Sequence, residues 1–394
     1  MKYKLGELLT IKHGYPFKGE FFADAGDKII LTPANFYEKG GFKYTPGKEK
    51  YYISEFPQEY MCKKGDLIVA MTQQAEGLLG STAFVPEDNV FLHNQRIGLI
   101  TTFEDKLIPE YADYLMRTKG VRKQIRGSAS GTKVKHTSPE KIYDVEVDIP
   151  SVDVQRRVAE VLGNIENKIN NNISIIQDYD SISKMLYDYW FLQYDFPNHE
   201  GKPYKATGGK MQWNNELNQE IPKGWKLLHV SDFAEVVTGK EDANHSVENG
   251  KYPFFTCSND VLKCDDYKFD GKAVLIAGNG DFNVKYYEGK FNAYQRTYVL
   301  ISKDDLYTGV IYHSALRTIN RFKNGSNGSI VKFITKGDVE NIIVLVPDDK
   351  KILEIFNELL DVVESIKDEN KELESLIDFI HPLVMNGQIG FKEA

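Results

Sequence analysis

The sequence of 394 residues contains few cysteines and no long apolar run. No stretch reaches the ~18 consecutive apolar residues of a membrane-spanning helix, and the start MKYKLGELLTIK lacks the apolar core of a signal peptide. The three cysteines, Cys62, Cys257 and Cys264, provide neither a disulfide framework nor the paired spacing of a zinc site. We therefore expect a cytoplasmic protein that holds no metal.

Motifs of the common catalytic sites are also missing. The eight histidines lack metal-ligand spacing, no Ser-His-Asp or Cys-His set can be assembled, and no Asn-Pro-Pro-Tyr-like methyltransferase motif is present. The stretch AGNGDFN (277–283) lacks the spacing and the lysine of a P-loop, so we interpret it as a turn between strands. The stretch PDDK (347–350) lacks the second acid and lysine of a nuclease site, and Asp348 or Asp349 is predicted to be a helix N-cap.

The net charge of −8 argues at first against a nucleic-acid partner, but the acidic residues are concentrated at one end. Residues 348–394 alone carry a net charge of −7, with five basic and twelve acidic side chains. Two basic islands lie elsewhere: residues 117–141 hold eight Lys or Arg against one acid, and residues 317–336 hold five against none. Local potential, rather than total charge, steers a polyanion. Two such islands at matching places favour DNA binding.

The chain contains an internal duplication. GTKVKHTSPEKIYDVEVDIP (131–150) and GSIVKFITKGDVENIIVLVP (328–347) share a glycine, a Val-Lys pair, a later valine and a final proline. HNQRIGLI (93–100) similarly matches AYQRTYVL (293–300), in which a Gln-Arg pair leads into an apolar strand. Strands rich in Val, Ile, Tyr and Phe alternate with Gly, Asn and Asp turns and with amphipathic helices. Each repeat is therefore predicted to be an α+β unit.

A long helix is predicted after each repeat. Apolar residues recur at spacings of three and four after Pro150 and again after Pro347, and Asn370 occupies a core position that could fix the register. An antiparallel pair of ~40-residue helices, at ~1.5 Å per residue, would form a rod of roughly 60 Å with one repeat at each end. The polar run INNN (169–172) is expected to be the least packed part of the first helix.

Two stretches resemble a known family. DYWFLQYDFPNHEGKPYKATGGKMQWNNELNQEIPKGW (188–225) and IPSVDVQRRVAEVLGNIENKI (149–169) closely resemble the central region and the first conserved helix of the specificity (S) subunit of type I restriction–modification systems. The resemblance covers the whole chain. The second helix, which begins PDDKKILEIFNELL, has no counterpart of Gln155, which leaves open whether both helix starts make the same contact.

The resemblance implies a non-catalytic subunit that recognises double-stranded DNA. Each of two target recognition domains would read one half of a split sequence, and the helices would set the gap between the halves. Two methyltransferase subunits and two restriction (motor-nuclease) subunits are the implied partners. S-adenosylmethionine, ATP and Mg²⁺ would belong to those partners, and this chain would hold no cofactor. The bases recognised are left open.

The predicted fold class is α+β, with two duplicated α/β target recognition domains separated by two long antiparallel coiled-coil helices. The predicted boundaries, in chain order, are recognition domain 1 at 1–150, spacer helix 1 at 151–192, a central linker at 193–224, recognition domain 2 at 225–347, spacer helix 2 at 348–385 and a tail at 386–394. An alternative is a coiled-coil adaptor whose duplicated domains bind protein, and a duplicated hydrolase ranks third. Salt-sensitive binding to duplex DNA separates the first interpretation from the others.

Comparison of the two repeats predicts which residues contact DNA. Polar positions that the repeats share, with the basic and small polar residues around them, are expected to contact the phosphate backbone. They are Gln95, Arg96, Arg126, Ser128, Ser130, Thr132, Lys133 and Lys135 in the first repeat, and Gln295, Arg296, Arg321, Lys323, Ser326, Asn327, Ser329 and Lys332 in the second. Positions that differ between the repeats are expected to read bases. They are Gln73, Gln74 and His136, against Asn279, Asp281, Asn283 and Phe333.

Structural roles remain open for some of these residues. The Gln95–Arg96 pair could instead make hydrogen bonds or ion pairs inside the fold, and Asn279 and Asp281 could stabilise a turn. For partner binding, helix one ends in the aromatic residues Tyr187, Tyr189, Trp190 and Phe191. We hypothesise that this end is exposed and, with the flanking helical surface, docks the methyltransferase subunits.

Overall fold

A computed structural model describes residues 1–45, 47–73, 77–131, 134–323 and 333–390. The chain forms two compact units: unit 1 consists of residues 1–169 and the chain from Leu373 onward, and unit 2 consists of residues 170–372. The helices, in chain order, are α1 (Pro109–Arg117), α2 (Lys119–Ser128), α3 (Pro139–Tyr143), α4 (Val152–Tyr187), α5 (Val230–Phe233), α6 (Thr308–Lys323), α7 (Lys336–Glu340) and α8 (Lys350–Met385). In the part of the chain that is described, no helix combines the length and the apolarity needed to cross a membrane.

Unit 1 is built around a four-stranded antiparallel sheet. Its strands are β1 (Lys2–Lys4), β2 (Leu9–His13), β3 (Phe22–Ala23), β4 (Ile29–Ile30), β5 (Tyr51–Tyr52), β6 (Leu67–Ala70), β7 (Thr82–Phe84), β8 (Phe91–Leu92), β9 (Ile97–Thr102) and β10 (Glu146–Asp148). The central sheet has the order β2-β9-β6-β7, a second sheet has the order β3-β5-β4-β8, and β1 pairs with β10. Strand β6 is buried on both faces, because Leu67 and Val69 enter one apolar cluster while Ile68 and Ala70 enter another.

Unit 2 repeats this topology. Its strands are β11 (Met211–Asn214), β12 (Gln219–Pro222), β13 (Lys226–His229), β14 (Ala234–Thr238), β15 (Tyr252–Phe255), β16 (Leu262–Cys264), β17 (Phe269–Ala277), β18 (Val284–Ala293), β19 (Thr297–Ser302) and β20 (Ile343–Val346). The order β14-β19-β17-β18 reproduces β2-β9-β6-β7, and the parallel pair β15–β18 reproduces β4–β8. The pair β13–β20 likewise reproduces β1–β10. The predicted duplicated α+β fold is confirmed.

The two long helices are each 36 residues long, and each contributes one part to each unit. In unit 1, Leu162 of α4 and Met385 of α8 belong to one core cluster. In unit 2, the ring of Tyr187 in α4 packs against Phe356 of α8 with centroids 5.9 Å apart. The start of one helix therefore shares a unit with the end of the other, as the predicted antiparallel pairing requires.

One residue of the polar run of helix one is closely packed, contrary to our expectation, although Asn170 and Asn171 are exposed. Asn172 is 1% exposed, and its Nδ2 donates to Asn370 Oδ1 at 2.8 Å and to Glu369 Oε2 at 2.7 Å. Asn370 occupies the predicted polar core position and is also buried. Because an amide pair buried in an apolar seam is satisfied in only one alignment, it specifies the register of the helices.

The segment predicted as a central linker is part of the core of unit 2. Phe196 stacks on Tyr204 at 4.6 Å and on Trp225 at 4.9 Å, and Tyr194 and Ile221 are buried in the same cluster. Strands β11 and β12 form a hairpin within this segment. Its Pro, Gly and Asn content is therefore used for turns between packed aromatic residues rather than for an extended connection.

Two predictions about turns are confirmed. Residues 278–283 connect the antiparallel strands β17 and β18, and Ala277 N donates to Asn283 O at 2.9 Å across the loop. Asp349 directly precedes α8, and its Oδ1 accepts a hydrogen bond from Lys351 N at 3.0 Å. Within the PDDK stretch, Asp349 is therefore the N-cap of α8.

Candidate nucleic-acid interface

The Gln-Arg pair of unit 1 lies in a tight turn that opens β9. Ile97 N donates to Asn94 O at 2.9 Å, and Gln95 N donates to Tyr15 O at 3.1 Å, which ties the turn to the segment after β2. The side chains of Gln95 and Arg96 are exposed. The turn therefore presents an amide and a guanidinium to solvent while its backbone is held by the sheet.

The second Gln-Arg pair repeats this geometry in unit 2. Gln295 N donates to Glu241 O at 2.9 Å, in the segment after β14, and the side chains of Gln295 and Arg296 are exposed. Gln295 Nε2 also donates to Asp242 Oδ1 at 2.8 Å on the surface. Neither arginine lies in the interior of its unit, so the structure does not support the alternative of an ion pair inside the fold.

A glycine enables the close approach behind each turn. A Cβ atom on Gly14 would lie 2.2 Å from Asn94 O, and a Cβ atom on Gly239 would lie 2.0 Å from Ala293 O. Contacts this short do not occur in proteins, so any side chain at either position would push the turn away from the sheet. Both glycines therefore have the same function in the two repeats.

In unit 1 two further predicted segments meet at this turn. Met71 N, just after β6, donates to Arg96 O at 3.0 Å, and Thr137 N donates to Met71 O at 2.9 Å. Gln73 N donates to Lys135 O at 2.9 Å. The backbone hydrogen bonds thus bring together three segments that are distant in sequence: the turn, residues 71–73 and residues 134–137.

The same three segments meet in unit 2. Gly278 N, just after β17, donates to Arg296 O at 2.9 Å, and Ile334 N donates to Gly278 O at 2.8 Å. Phe333 is exposed at the position that corresponds to His136 of unit 1. We refer to each set of three segments as the recognition surface of its unit.

The predicted base-reading residues of unit 1 lie on its recognition surface. Gln73 is half-buried, and Lys135 and His136 are exposed. His136 Nδ1 lies 3.1 Å from Thr72 Oγ1, which fixes the orientation of the ring. Beneath the turn, burial lowers the pKa of His93 to about 4, so this imidazole is neutral at pH 7 and its Nε2 donates to Ile97 O at 2.8 Å.

The predicted base-reading residues of unit 2 differ in their exposure and in the hydrogen bonds that they make within the fold. Asp281 is exposed and Asn279 is half-buried. Asn283 is engaged by the fold: its Nδ2 donates to Cys257 O at 3.0 Å, and its Oδ1 accepts from Lys285 Nζ at 2.5 Å. The amide of Asn283 therefore shapes the loop, whereas Asn279 and Asp281 remain the candidates for base contact.

In unit 2 a fourth segment contacts the recognition surface, and it was not identified from the sequence. Residues 256–260 follow β15, and Asn259 Nδ2 donates to Asp281 Oδ2 at 3.3 Å. Lys285 Nζ ties the same segment down by donating to Ser258 O at 2.6 Å. The polar run Ser-Asn-Asp after a buried strand was the available signal, but it has no recognisable match in the first repeat.

Not all basic side chains of the first island (residues 117–141) are available to bind DNA. Arg117 forms ion pairs with the buried Asp113 and the half-buried Glu166. Arg122 is 7% exposed and donates to Glu38 O at 2.8 Å and to Gly77 O. These two arginines stabilise the fold, and counting them as DNA-steering charges was wrong. A basic residue on a helix often pairs with carboxylates or carbonyls of segments that are distant in sequence. The sequence by itself does not show these partners.

The remaining predicted backbone contacts are accessible where they are described. Arg126, Ser128 and Ser130 lie exposed at the end of α2 and just after it, and Arg321 is exposed on α6. Ser128 Oγ donates to Ile125 O at 3.1 Å. Outside the described residues lie Gln74, Thr132, Lys133, the side chain of Lys323, Ser326, Asn327, Ser329 and Lys332. Their roles stay predictions.

The aromatic end of helix one is not the exposed surface that we expected. Tyr187, Trp190 and Phe191 are 7%, 8% and 1% exposed, and all three belong to the core of unit 2. Tyr187 stacks on Phe191 at 4.7 Å. Docking of a partner on these three side chains is therefore excluded by their burial, and only Tyr189, at 37% exposed, remains available.

Three potential metal ligands come together in unit 2. In the described residues, ligand atoms of His245, Cys264 and Asp266 lie within 4.8 Å of one another. They are already hydrogen-bonded, since His245 Nε2 lies 2.6 Å from Asp266 Oδ1 and Cys264 Sγ donates to Asp266 O at 3.1 Å. Burial raises the pKa of the Cys264 thiol, which favours the protonated donor over a thiolate ligand. The arrangement is that of a hydrogen-bonded cluster.

Comparison with known proteins identifies the family. Residues 1–177 and 222–375 match the type I restriction modification DNA specificity domain. The chain belongs to this family. Its two matched regions cover the recognition surfaces of both units and most of the two long helices.

Several relatives support the assignment. The chain is 37% identical over 177 residues to the type I restriction enzyme EcoDI specificity subunit of Escherichia coli, a match that covers 43% of this chain and 40% of that protein. It is 23% identical to the MjaIX specificity subunit of Methanocaldococcus jannaschii, over 74% of this chain and 71% of that protein. The crystal structure of the type I S subunit from M. genitalium has the same fold, with a TM-score of 0.57 and 14% identity over 100% of this chain and 96% of that chain.

Proposed function

We propose that this chain recognises a bipartite duplex DNA target, each unit reading one half through its recognition surface. The observation that carries the proposal is that the same three segments converge in both units around an exposed Gln-Arg turn, while the residues next to the turn differ. Shared groups suit the uniform phosphate backbone, and differing groups suit two different sets of base edges.

By itself the chain would be non-catalytic and would direct partner subunits. Two methyltransferase subunits would transfer a methyl group from S-adenosylmethionine to adenine. Two restriction subunits would use ATP and Mg²⁺ in the full complex. The contribution of this chain would be to bind the target and to place its two halves correctly for those partners.

Mapping of methylated adenines tests the proposal. The chain would be co-expressed with its methyltransferase subunit in a host that lacks other adenine methylation, and the modified sites would be sequenced. We expect one motif made of two short half-sites and a gap of fixed length. A single uninterrupted motif, or a complex that binds DNA without sequence preference, would contradict the proposal.

Replacement of Lys135 by alanine should weaken DNA binding without changing the preferred sequence. Lys135 is exposed beside Gln73, and a phosphate contact carries no base information. The slope of log K against log salt concentration should fall by about one unit for the lost contact. By contrast, Gln73→Ala should alter preference at one half-site, by about 1–3 kcal/mol for a good base contact.

Binding measured from low to high salt on a native and a scrambled target checks this assignment. Lys202→Ala, an exposed lysine outside both recognition surfaces, is the matched control and should leave the slope unchanged. If Lys135→Ala changes the methylated motif itself, the two roles have been exchanged.

An exposed apolar stripe on α4 is our revised candidate for the methyltransferase docking surface. In unit 2, exposed apolar side chains recur at intervals of seven residues: Ile175 and Ile182 on α4, and Tyr189 just after it. Met185, at 63% exposed, extends the stripe. A heptad-spaced stripe that the described residues leave exposed suits an apolar helix of a partner.

Ile182→Glu combined with Met185→Glu should abolish co-purification of the methyltransferase subunit, because both charges would be buried in the docked helix pair. Gln177→Glu, an exposed polar position on the same helix, is the control and should leave co-purification intact. Full co-purification with the folded double variant would show that the partner docks elsewhere.

A further inference from the structure

The amide of Gln155 fastens helix α4 to the loop that precedes α1. Gln155 is fully buried in the first turn of α4, where it is the fourth residue. Its Nε2 donates to Lys106 O at 2.7 Å and to Pro150 O at 3.0 Å, and its Oε1 accepts from Ile108 N at 3.1 Å. Ile108 caps the start of α1. One side chain thus bonds a carbonyl and an N–H group of this loop at the same time.

The amide of Asn357 makes the corresponding contact in unit 2. Its Oδ1 accepts from Gly309 N at 2.7 Å, and its Nδ2 donates to Asp305 O and Leu306 O at 3.0 Å each. Gly309 lies in the first turn of α6, so close to α8 that an added Cβ would come within 2.7 Å of the Phe356 carbonyl carbon. The sequence showed no counterpart of Gln155 because Asn357 is the eighth residue of its helix, not the fourth.

Both contacts occur at the same place in the duplicated fold. In unit 1 the Gln-Arg turn leads into β9, and the loop held by Gln155 follows that strand. In unit 2 the turn leads into β19, and the loop held by Asn357 follows it. Each amide therefore holds the loop that follows a strand, and an exposed Gln-Arg turn precedes the same strand. Two different residues at two different helix positions thus each accept one backbone N–H and donate to backbone carbonyls at this loop.

We propose that Gln155 and Asn357 are positioning residues that set the orientation of each recognition surface on its long helix, and thereby restrict binding to one gap length. The inference rests on the proposed bipartite recognition. A surface rigidly coupled to its helix cannot rotate or slide to meet a half-site that is one base pair nearer or farther. If the coupling is broken, both half-sites are still read, but the tolerance for the gap widens.

The test uses the full chain in complex with its methyltransferase subunit and the variants Gln155→Glu and Asn357→Asp. Each variant keeps the size and the acceptor oxygen but replaces the two N–H donors by a second oxygen that faces carbonyls. Binding would be measured on duplexes that carry the native half-sites with the native gap, and with gaps one base pair shorter or longer. We expect the preference for the native gap to fall by about tenfold, since each variant loses the two hydrogen bonds that the amide N–H groups donate.

The order of base preference within each half-site should not change in either variant. Gln177→Glu and Asn170→Asp, which alter exposed amides of α4, are the matched controls and should retain the full preference for the native gap. Folding would be checked by thermal unfolding. Since Asn357 is only half-buried, Asn357→Asp is expected to fold even if Gln155→Glu does not, and it alone decides the question.

Two outcomes would overturn the inference. In one, folded Asn357→Asp discriminates gap lengths as well as the unaltered chain. In the other, it loses affinity equally for all gap lengths, which would indicate a purely structural role. Failure of the unaltered chain to prefer any bipartite duplex would instead reject the proposed function, so the two failures are distinguishable.

Discussion

Lengthening α4 and α8 together by one heptad each should lengthen the gap of the DNA target by about three base pairs. Seven residues add about 10 Å of helix, and base pairs are spaced by ~3.4 Å. Because seven residues are close to two helical turns, the apolar seam continues with a rotation of only about 20°. The bases of both half-sites should be unchanged, since neither recognition surface is altered.

The position of the insertions follows from the structure. Insertion after Ile169 in α4 and after Glu372 in α8 leaves the internal contacts of both compact units intact. The polar run of α4, although attractive from its sequence, is unsuitable, because an insertion after Asn172 would disturb the buried amide pair with Asn370. Sequencing of the methylated motif in the doubly extended protein measures the gap.

A protein extended in α4 alone is the control, because its helices would no longer match in length. We expect it to lose methylation activity or to keep the original gap by looping out the extra residues. Recovery of the original gap in an active, doubly extended complex would count against the helices as the determinant of spacing. New bases in either half-site would count against independent reading by the two units.

Arg117→Leu should destabilise unit 1 by about 3–5 kcal/mol, because it leaves the buried carboxylate of Asp113 and the half-buried carboxylate of Glu166 without their cation. The guanidinium forms ion pairs with Asp113 of α1 and Glu166 of α4. Tyr114 Oη also donates to Glu166 at 2.9 Å, and Thr82 Oγ1 donates to Asp113 at 2.6 Å. Loss of the arginine therefore affects a network that joins the sheet, α1 and α4 within one unit. Thermal unfolding would show the loss.

The loss of stability in Arg117→Leu should increase as the pH rises from about 4 to neutrality. Burial raises the pKa of Asp113, and Arg117 opposes this rise. Without the arginine, the pKa of Asp113 in the folded protein should rise further above its value in the unfolded chain. The free energy of unfolding should therefore fall as the pH increases from the unfolded pKa towards the higher folded pKa. The variant should thus be closest to the unaltered protein near about pH 4 and farthest from it near neutrality. Arg156→Leu, an exposed arginine of α4, is the control and should change stability by less than about 0.5 kcal/mol.

The duplicated α+β fold and the two long helices were predictable from the sequence because their signals are local. The Gln-Arg pairs at 95–96 and 295–296 stand before apolar strands, and a strand with a turn before it is specified within a few residues. The heptad spacing after Pro347, with Asn370 inside it, likewise specifies a helix with one apolar face and one buried amide. These patterns repeat along the chain, so the two halves could be aligned with each other.

Burial and pairing between distant segments were decided only by the tertiary structure. Arg117 and Arg122 belong to a basic island in the sequence, but carboxylates and carbonyls from other segments enclose them. From the sequence we expected Phe191 to be exposed at a helix end, but Trp225 and Phe356 cover it, with ring centroids 5.1 Å and 5.4 Å from its own. The contact of Gln155 has its equivalent in Asn357, four helix positions later. Sequence periodicity indicates which face of a helix or strand is apolar or charged. The segment that covers this face depends on contacts between residues distant in sequence, which only the tertiary structure shows.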